Sequence, residues 1–243
     1  MLAEQYQEKI IESIEMAFSN NKDVLKFLSG KIADSIEEDG LLHIFGCGHS
    51  HLLAEDIFYR AGGLLPINPI LESNLMLHGG AVKSSSMERL EGYAAPILDN
   101  YKVKAGEVLI VISNSGINNV PVEMAMAAKE KGLYVAALSS SSYNKETSRH
   151  KSGKKLIDFA DALIDNGIPH GDALLDVPGT DIRMAPGSTV IGSYLLNTLM
   201  VLVSERFIEK GTEPPILVSG NIKGGMERNK SLLDKYKECI KHL

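Results

Sequence analysis

Cysteine is scarce in this 243-residue chain: only Cys47 and Cys239, far apart in sequence. A disulfide framework is thereby excluded, and a reducing cytoplasm is the expected location. No apolar stretch approaches the length of a membrane span, so no membrane partner is expected. The first residues, MLAEQYQEKI, carry acids where a secretory signal would place bases and then an apolar run. A basic stripe is also missing. The net charge is −6, which argues against a nucleic-acid partner. An anionic ligand would need a local device, because the overall field repels it. The one basic cluster, Arg149, His150, Lys151, Lys154 and Lys155, sits among serines and glycine and reads as a solvated loop. Low-complexity linkers and short-period repeats are absent.

What is present suits one α/β domain: 44% hydrophobic residues spread over 243 positions. Apolar residues spaced four apart predict helices over 2–18 and 23–38, with Asp23 as N-cap and Gly40 as stop. Both are expected outside the sheet or against a partner subunit. LLHIF (41–45) reads as the first buried strand, and HLLAEDIFYRAGG as a helix ending at Gly62-Gly63. LLPINPI reads as a short strand whose prolines place it at an edge. SSSMERLEGYAAPIL predicts one helix, EVLIVI a buried strand, and NNVPVEMAMAAKEKG a helix stopped by Gly132. Leaving the short edge strand aside, LYVAALS and ADALID are the third and fourth strands and DALLDV a candidate fifth. GSTVIGSYLLNTLMVLVSERFIEKG is a long apolar helix, and a terminal helix covers about 226–242. Strands alternating with helices predict a three-layer αβα sandwich around a parallel sheet. The expected organisation is one domain over 1–243: helical extension 1–39, core 40–210, then a loop and helix over 211–243.

Two strand–turn–helix junctions stand out, where such a sheet binds ligands. The first is Gly46-Cys47-Gly48-His49-Ser50; the second is Ser113-Asn114-Ser115-Gly116-Ile117-Asn118. Glycine permits the tight turn, the first helical amides are unpaired, and the helix dipole favours an anion there. Serine hydroxyls add donors for phosphate oxygens. A dinucleotide reading of the first turn puts His51 at the third glycine position, offers Glu72 as the ribose acid, and leaves the second turn unexplained. A metal reading takes the alternation of Cys47, His49 and His51, but a helix starting near Ser50 would scatter it. Neither a metal nor a cofactor is expected. His43, inside a predicted strand, reads as a satisfied core histidine.

The first turn resembles the G-x-G-x-S-x-x-x-A pattern of SIS (sugar isomerase) domains, with Ala54 in last place. The second resembles their S-x-S-G-x-T turn, with Asn118 where threonine is usual. The likeness extends over about 40–210 and is nearest to small phosphoheptose-isomerase-like proteins. It implies a five-stranded parallel sheet in a doubly wound, flavodoxin-like arrangement, a sugar-phosphate ligand, and homodimers or homotetramers. Gly48, His49, Ser50, Ser113, Asn114, Ser115, Gly116 and Asn118 would then form the phosphate site. Phosphoheptose isomerases carry a glutamate where Arg60 aligns here, and their histidine on the long helix has no counterpart. Aldose–ketose chemistry needs a base and a donor. The candidates are Glu91, in a segment that resembles the EG segment of the SIS etherases, and His170 and Asp172, in a Gly/Pro turn after a strand. Glu88, three residues before Glu91, reads equally as part of an exposed acidic face. Three functions stay open: a sugar-phosphate isomerase, an etherase-like lyase on N-acetylmuramic acid 6-phosphate, and a non-catalytic phosphosugar sensor.

Overall fold

The computed structural model describes residues 1–243. Five strands form one parallel sheet: β1 (Leu42–Gly46), β2 (Ile67–Ile70), β3 (Val108–Ile112), β4 (Tyr134–Ser139) and β5 (Ala162–Asp165). Their order is β2-β1-β3-β4-β5, and every pairing is parallel. Each residue of β1 and β3 is buried, the signature of strands covered on both faces. β2 carries Pro69 and lies at an edge, as its prolines predict.

Seven helices complete the chain: α1 (Leu2–Glu37), α2 (His49–Ile57), α3 (Ala81–Met87), α4 (Ala94–Asp99), α5 (Asn119–Glu130), α6 (Ser188–Glu209) and α7 (Gly225–Tyr236). Strand side chains alternate between faces. Ile44 and Ile110 join a core with Leu25 and Leu28 of α1, Leu53 of α2, and Leu195 and Leu199 of α6. Phe45, Leu109 and Val111 join the opposite core with Ile97 of α4 and Val120 and Met124 of α5. Each fully buried leucine or isoleucine contributes about 1.5–3 kcal/mol relative to exposure. The chain therefore leaves β1 towards one face and β3 towards the other. This is the topological switch point, and a crevice opens at the carboxyl ends of those two neighbouring strands.

The helical prediction for the N-terminus needs correction. α1 is continuous over 36 residues, passing through the polar stretch Ser19-Asn20-Asn21-Lys22. Asn21 explains the continuity. Its Nδ2 donates to Ala17 O and to Asp165 O, each at 2.7 Å, and its Oδ1 accepts from Asp165 N at 2.8 Å. A residue that looks like a break thus clamps the helix to the end of β5. As expected, α1 lies outside the sheet, where it packs along α6 in the layer that covers one face.

Other boundaries move too. α2 stops at Ile57 because Phe58 is extended and Tyr59 takes φ +46°. The helix predicted over SSSMERLEGYAAPIL is two, α3 and α4, separated by a turn with Gly92 at φ +76°. DALLDV contributes only β6 (Leu175–Asp176), which pairs antiparallel with β7 (Arg183–Met184) outside the main sheet. α6 is long and apolar enough, by length and composition alone, to cross a membrane, contrary to the expectation from sequence. Its Ile191, Leu195, Leu196, Leu199 and Val203 instead fill the core against α1 and the sheet.

His43 is a satisfied core histidine. Its Nε2 lies 2.8 Å from Glu107 Oε2, and its Nδ1 accepts from Asn68 Nδ2 at 3.2 Å.

Candidate functional site

β1 ends at Gly46 because the first turn of α2 folds directly over it. A Cβ there would stand 2.5 Å from Ser50 O. Gly48 takes φ +56° and ψ −127°, which suits glycine, and its amide donates to Leu75 O at 2.8 Å. α2 begins at His49, so the alternating Cys47, His49 and His51 diverge: Cys47 and His51 are buried and His49 is exposed. Ser50 is half-buried.

The second turn is braced from three sides. Ser113 Oγ accepts from Gly116 N at 3.2 Å. Asn114 O accepts from Ser140 N at 3.0 Å, and Asn114 Oδ1 from Asn166 Nδ2 at 2.8 Å. Gly116, at φ +64°, sits where a Cβ would meet Ser139 Oγ at 3.3 Å and Leu156 Cβ at 3.4 Å. The amides of Ser115, Ile117 and Asn118 make no hydrogen bond within the chain, and α5 starts one residue later. Unpaired donors at the positive end of a helix form an anion cradle.

The two turns share one cleft. Ser50 and Asn114 line it together with Asn166, Ser188 and Thr189 at the start of α6. Ser115 and Gly116 line an adjoining hollow with Ser139, Ser141, Tyr143 and Lys155. Ser188, Thr189 and Asn166 carry no signal in the sequence, because neither a loop asparagine nor a helix-start GST marks a site by itself.

In the basic cluster Arg149, Lys151 and Lys154 are exposed, as a solvated loop would have them, but the backbone of that loop is held. Arg149 N donates to Ile117 O and Leu156 N to Gly116 O, each at 2.9 Å. The loop is thus pinned to the second turn at both ends. Arg149 Nη1 reaches Asn118 Oδ1 at 2.5 Å, and Lys155 lines the hollow beside Ser115. Local positive charge of this kind meets the requirement set by a net charge of −6.

Of the expected proton-transfer residues, Glu91 is exposed and pairs with Lys151 at 3.2 Å. His170 is exposed, 3.3 Å from Glu146, with its ring centroid 4.5 Å from that of Tyr143. Asp172 is occupied at the start of α6: Oδ1 accepts from Gly187 N at 3.1 Å and Ser188 N at 2.8 Å, and Oδ2 from Ser188 Oγ at 2.6 Å. Arg60 lies beyond α2 and pairs with Asp56.

Glu88 is placed differently. The carbonyl of Glu88 accepts Val120 N at 3.0 Å, and that of the next residue, Arg89, accepts Asn119 Nδ2 at 2.8 Å, which ties the end of α3 to the start of α5. Its side chain is half-buried. Burial raises its pKa above the ordinary glutamate value, while the polar influence of Asn118 and the charges of Arg89 and Arg149 partly offset that rise. Burial, with the Glu88 charge added, pushes the Cys47 thiol well up, so this cysteine is a neutral packing group.

Comparison with known proteins agrees with this fold. The sequence pattern described as the SIS domain matches residues 5–140, and so takes in α1. A UPF0309 protein of Caldanaerobacter subterraneus is 47% identical over 98% of this chain and 98% of its own length. Another, from Geobacillus kaustophilus, is 46% identical over 97% of this chain and 94% of its own. Among solved structures, a phosphoheptose isomerase from Francisella tularensis covers 84% of this chain and 96% of its own, with a TM-score of 0.56 at 14% identity, a likeness of fold. The chain therefore belongs to the SIS domain family, alongside the UPF0309 proteins.

Proposed function

We propose that the protein binds a sugar phosphate at the β1/β3 switch point and interconverts its aldose and ketose forms through an enediol. One observation carries the reading: the unpaired amides of Ser115, Ile117 and Asn118 are backed by the start of α5 and flanked by Arg149 and Lys155. Backbone amides and cations at a helix start recognise a phosphate monoester better than a neutral sugar. Ser113, Asn114, Ser115, Gly116 and Asn118 shape this half of the site. Gly48, His49 and Ser50 bound the other half, where the sugar extends. The two free cysteines, Cys47 buried and Cys239 exposed, suit the reducing cytoplasm proposed as its location.

The neighbouring fold belongs to a protein described as a phosphoheptose isomerase, which supports the substrate class by analogy of fold only. A sensor without catalysis is the second reading, favoured by Arg60 standing in an ion pair where phosphoheptose isomerases carry a glutamate.

A thermal-shift panel of sugar phosphates and their unphosphorylated sugars tests the proposal. A ligand at about 100 times its dissociation constant stabilises the fold by roughly 2.7 kcal/mol. Only phosphorylated members are expected to do so, and Ser115→Ala should reduce the shift. Equal shifts with the parent sugars, or no shift with any phosphate, would sink the assignment. Turnover of the bound sugar separates isomerase from sensor, and lactate release from N-acetylmuramic acid 6-phosphate identifies a lyase.

A further inference from the structure

We infer that Arg149 completes the anion site at the second turn and makes it selective for a doubly charged phosphate monoester over a singly charged ester of the same shape. The inference rests on the reading above that this turn holds phosphate, and it names the residue that decides which anion fits.

The cradle alone does not match two charges. The amides of Ser115, Ile117 and Asn118 are neutral donors. The start of a helix is equivalent to only about half a positive charge. The first turn of α5, Asn119 to Val122, holds no charged residue. A full positive charge must therefore come from another segment.

The basic loop supplies it, and most of its cations are otherwise engaged. Lys151 pairs with Glu91 at 3.2 Å, and Lys155 Nζ donates to Asn144 O at 2.5 Å. His150 is buried, with its Nδ1 2.7 Å from Ser152 Oγ and its Nε2 3.7 Å from Glu123. Lys154 bonds only through its backbone, to Ser148 and Ser152. Arg149 differs from all four. Its backbone N donates to Ile117 O at 2.9 Å, and its Nη1 to Asn118 Oδ1 at 2.5 Å. Those are two of the three residues whose amides form the cradle. A guanidinium has five N–H donors. Asn118 takes one, and no carboxylate of the chain pairs with the rest. An arginine without an acid partner, tied to an anion cradle by main chain and side chain, is placed to clamp a phosphate.

The departure at Asn118 acquires a reason. A threonine there would offer one hydroxyl. The asparagine oxygen instead accepts from a guanidinium, and at 9% exposure Asn118 is a fixed post for it. The exchange sets a full charge and a planar fork beside the cradle. Such a fork can bond two phosphate oxygens at once, which a lysine cannot do. A full charge also discriminates. It gains about twice as much from a dianion as from a monoanion at the same distance.

The test needs no knowledge of the sugar. Methyl phosphate and methyl sulfate have the same shape, but at about pH 8 the first carries two charges and the second one. Each is titrated against the protein while the amides of Ser115, Ile117 and Asn118 are followed by 1H–15N NMR. Wild-type protein is expected to bind methyl phosphate more tightly, by about tenfold or more. Arg149→Gln should weaken methyl phosphate about 10- to 100-fold, change methyl sulfate less, and leave the same amides responding. Arg149→Lys, which keeps the charge without the fork, should fall between. Asn118→Ala should also lose the preference. Adding it to Arg149→Gln should cost little more, because the two residues act as one unit. Independent structural contacts would give additive losses instead. An Arg149→Gln protein that keeps the wild-type preference between the esters would overturn the inference and leave the cradle standing. So would a wild type that binds both esters equally. A wild type in which neither ester moves the three amides would overturn the phosphate reading itself.

Discussion

Glu107→Ala is expected to lower the midpoint of thermal unfolding by roughly 6–20 °C. Glu107 is 4% exposed and closes the amino-terminal end of the sheet. Its Oε1 accepts from Leu41 N at 2.9 Å, and its Oε2 accepts from Lys104 N at 2.6 Å and from the His43 ring at 2.8 Å. Alanine would strand these donors in the interior. Removing one partner of a buried pair costs about 3–5 kcal/mol, and about 1 kcal/mol displaces the midpoint by roughly 2–4 °C in a chain of this length.

The same residue sets a pH dependence. Burial pushes the Glu107 pKa up, but the His43 hydrogen bond and charge and the amides of Lys104 and Leu41 outweigh it, so the folded value lies below the ordinary one. The ionised carboxylate therefore stabilises the fold. Its contribution is complete above the unfolded glutamate pKa and is lost as pH falls through the depressed folded value. Denaturant melts over pH 3–7 should show wild-type stability dropping at the acid end, with a shallower drop in Glu107→Gln. Parallel curves would refute the account of this carboxylate.

Asp172→Ala should cost about 2–3 kcal/mol, read as a fall of roughly 4–12 °C in the unfolding midpoint. Three hydrogen bonds at the start of α6 are lost, and alanine must adopt the φ of +55° that Asp172 takes. Asp172→Asn keeps an acceptor for the two amides and tolerates that backbone, so its loss should be smaller. If Asp172 is a cap, sugar-phosphate turnover per folded molecule survives in the asparagine variant. A fully folded Asp172→Asn protein without turnover would return Asp172 to the proton-transfer role expected from sequence. The cap also bears on ligand placement. A carboxylate already neutralises the α6 terminus, which leaves the α2 and α5 termini, those of the two turns, to attract an anion.

The parallel sheet and the two turns were legible for local reasons. Buried strands are runs of Val, Leu and Ile, and paired turns of glycine and serine at strand ends suit an anion. What escaped depends on contacts between distant residues. Asn21 looks like a helix break until Asp165 is beside it. Arg149 and Lys155 look solvated until the carbonyls of Ile117 and Gly116 pin their loop. Glu88 and Glu91 lie three apart, and no local pattern says which is half-buried and which exposed; the turn at Gly92 and the tie to Val120 separate them. Asp172 shows the converse, a polar residue at the ligand edge whose hydrogen bonds are spent on a helix terminus.

The central claim is that the second turn holds the phosphate of a sugar phosphate. Amide chemical-shift mapping by 1H–15N NMR, titrating the ligand that gives the largest thermal shift, tests it most directly. The largest perturbations are predicted at the amides of Ser115, Ile117 and Asn118, with smaller ones at Ser50 and Thr189. The parent sugar without phosphate should leave the first three unmoved. Perturbations centred on α1 or α7 instead, with those three amides unchanged, would contradict the account.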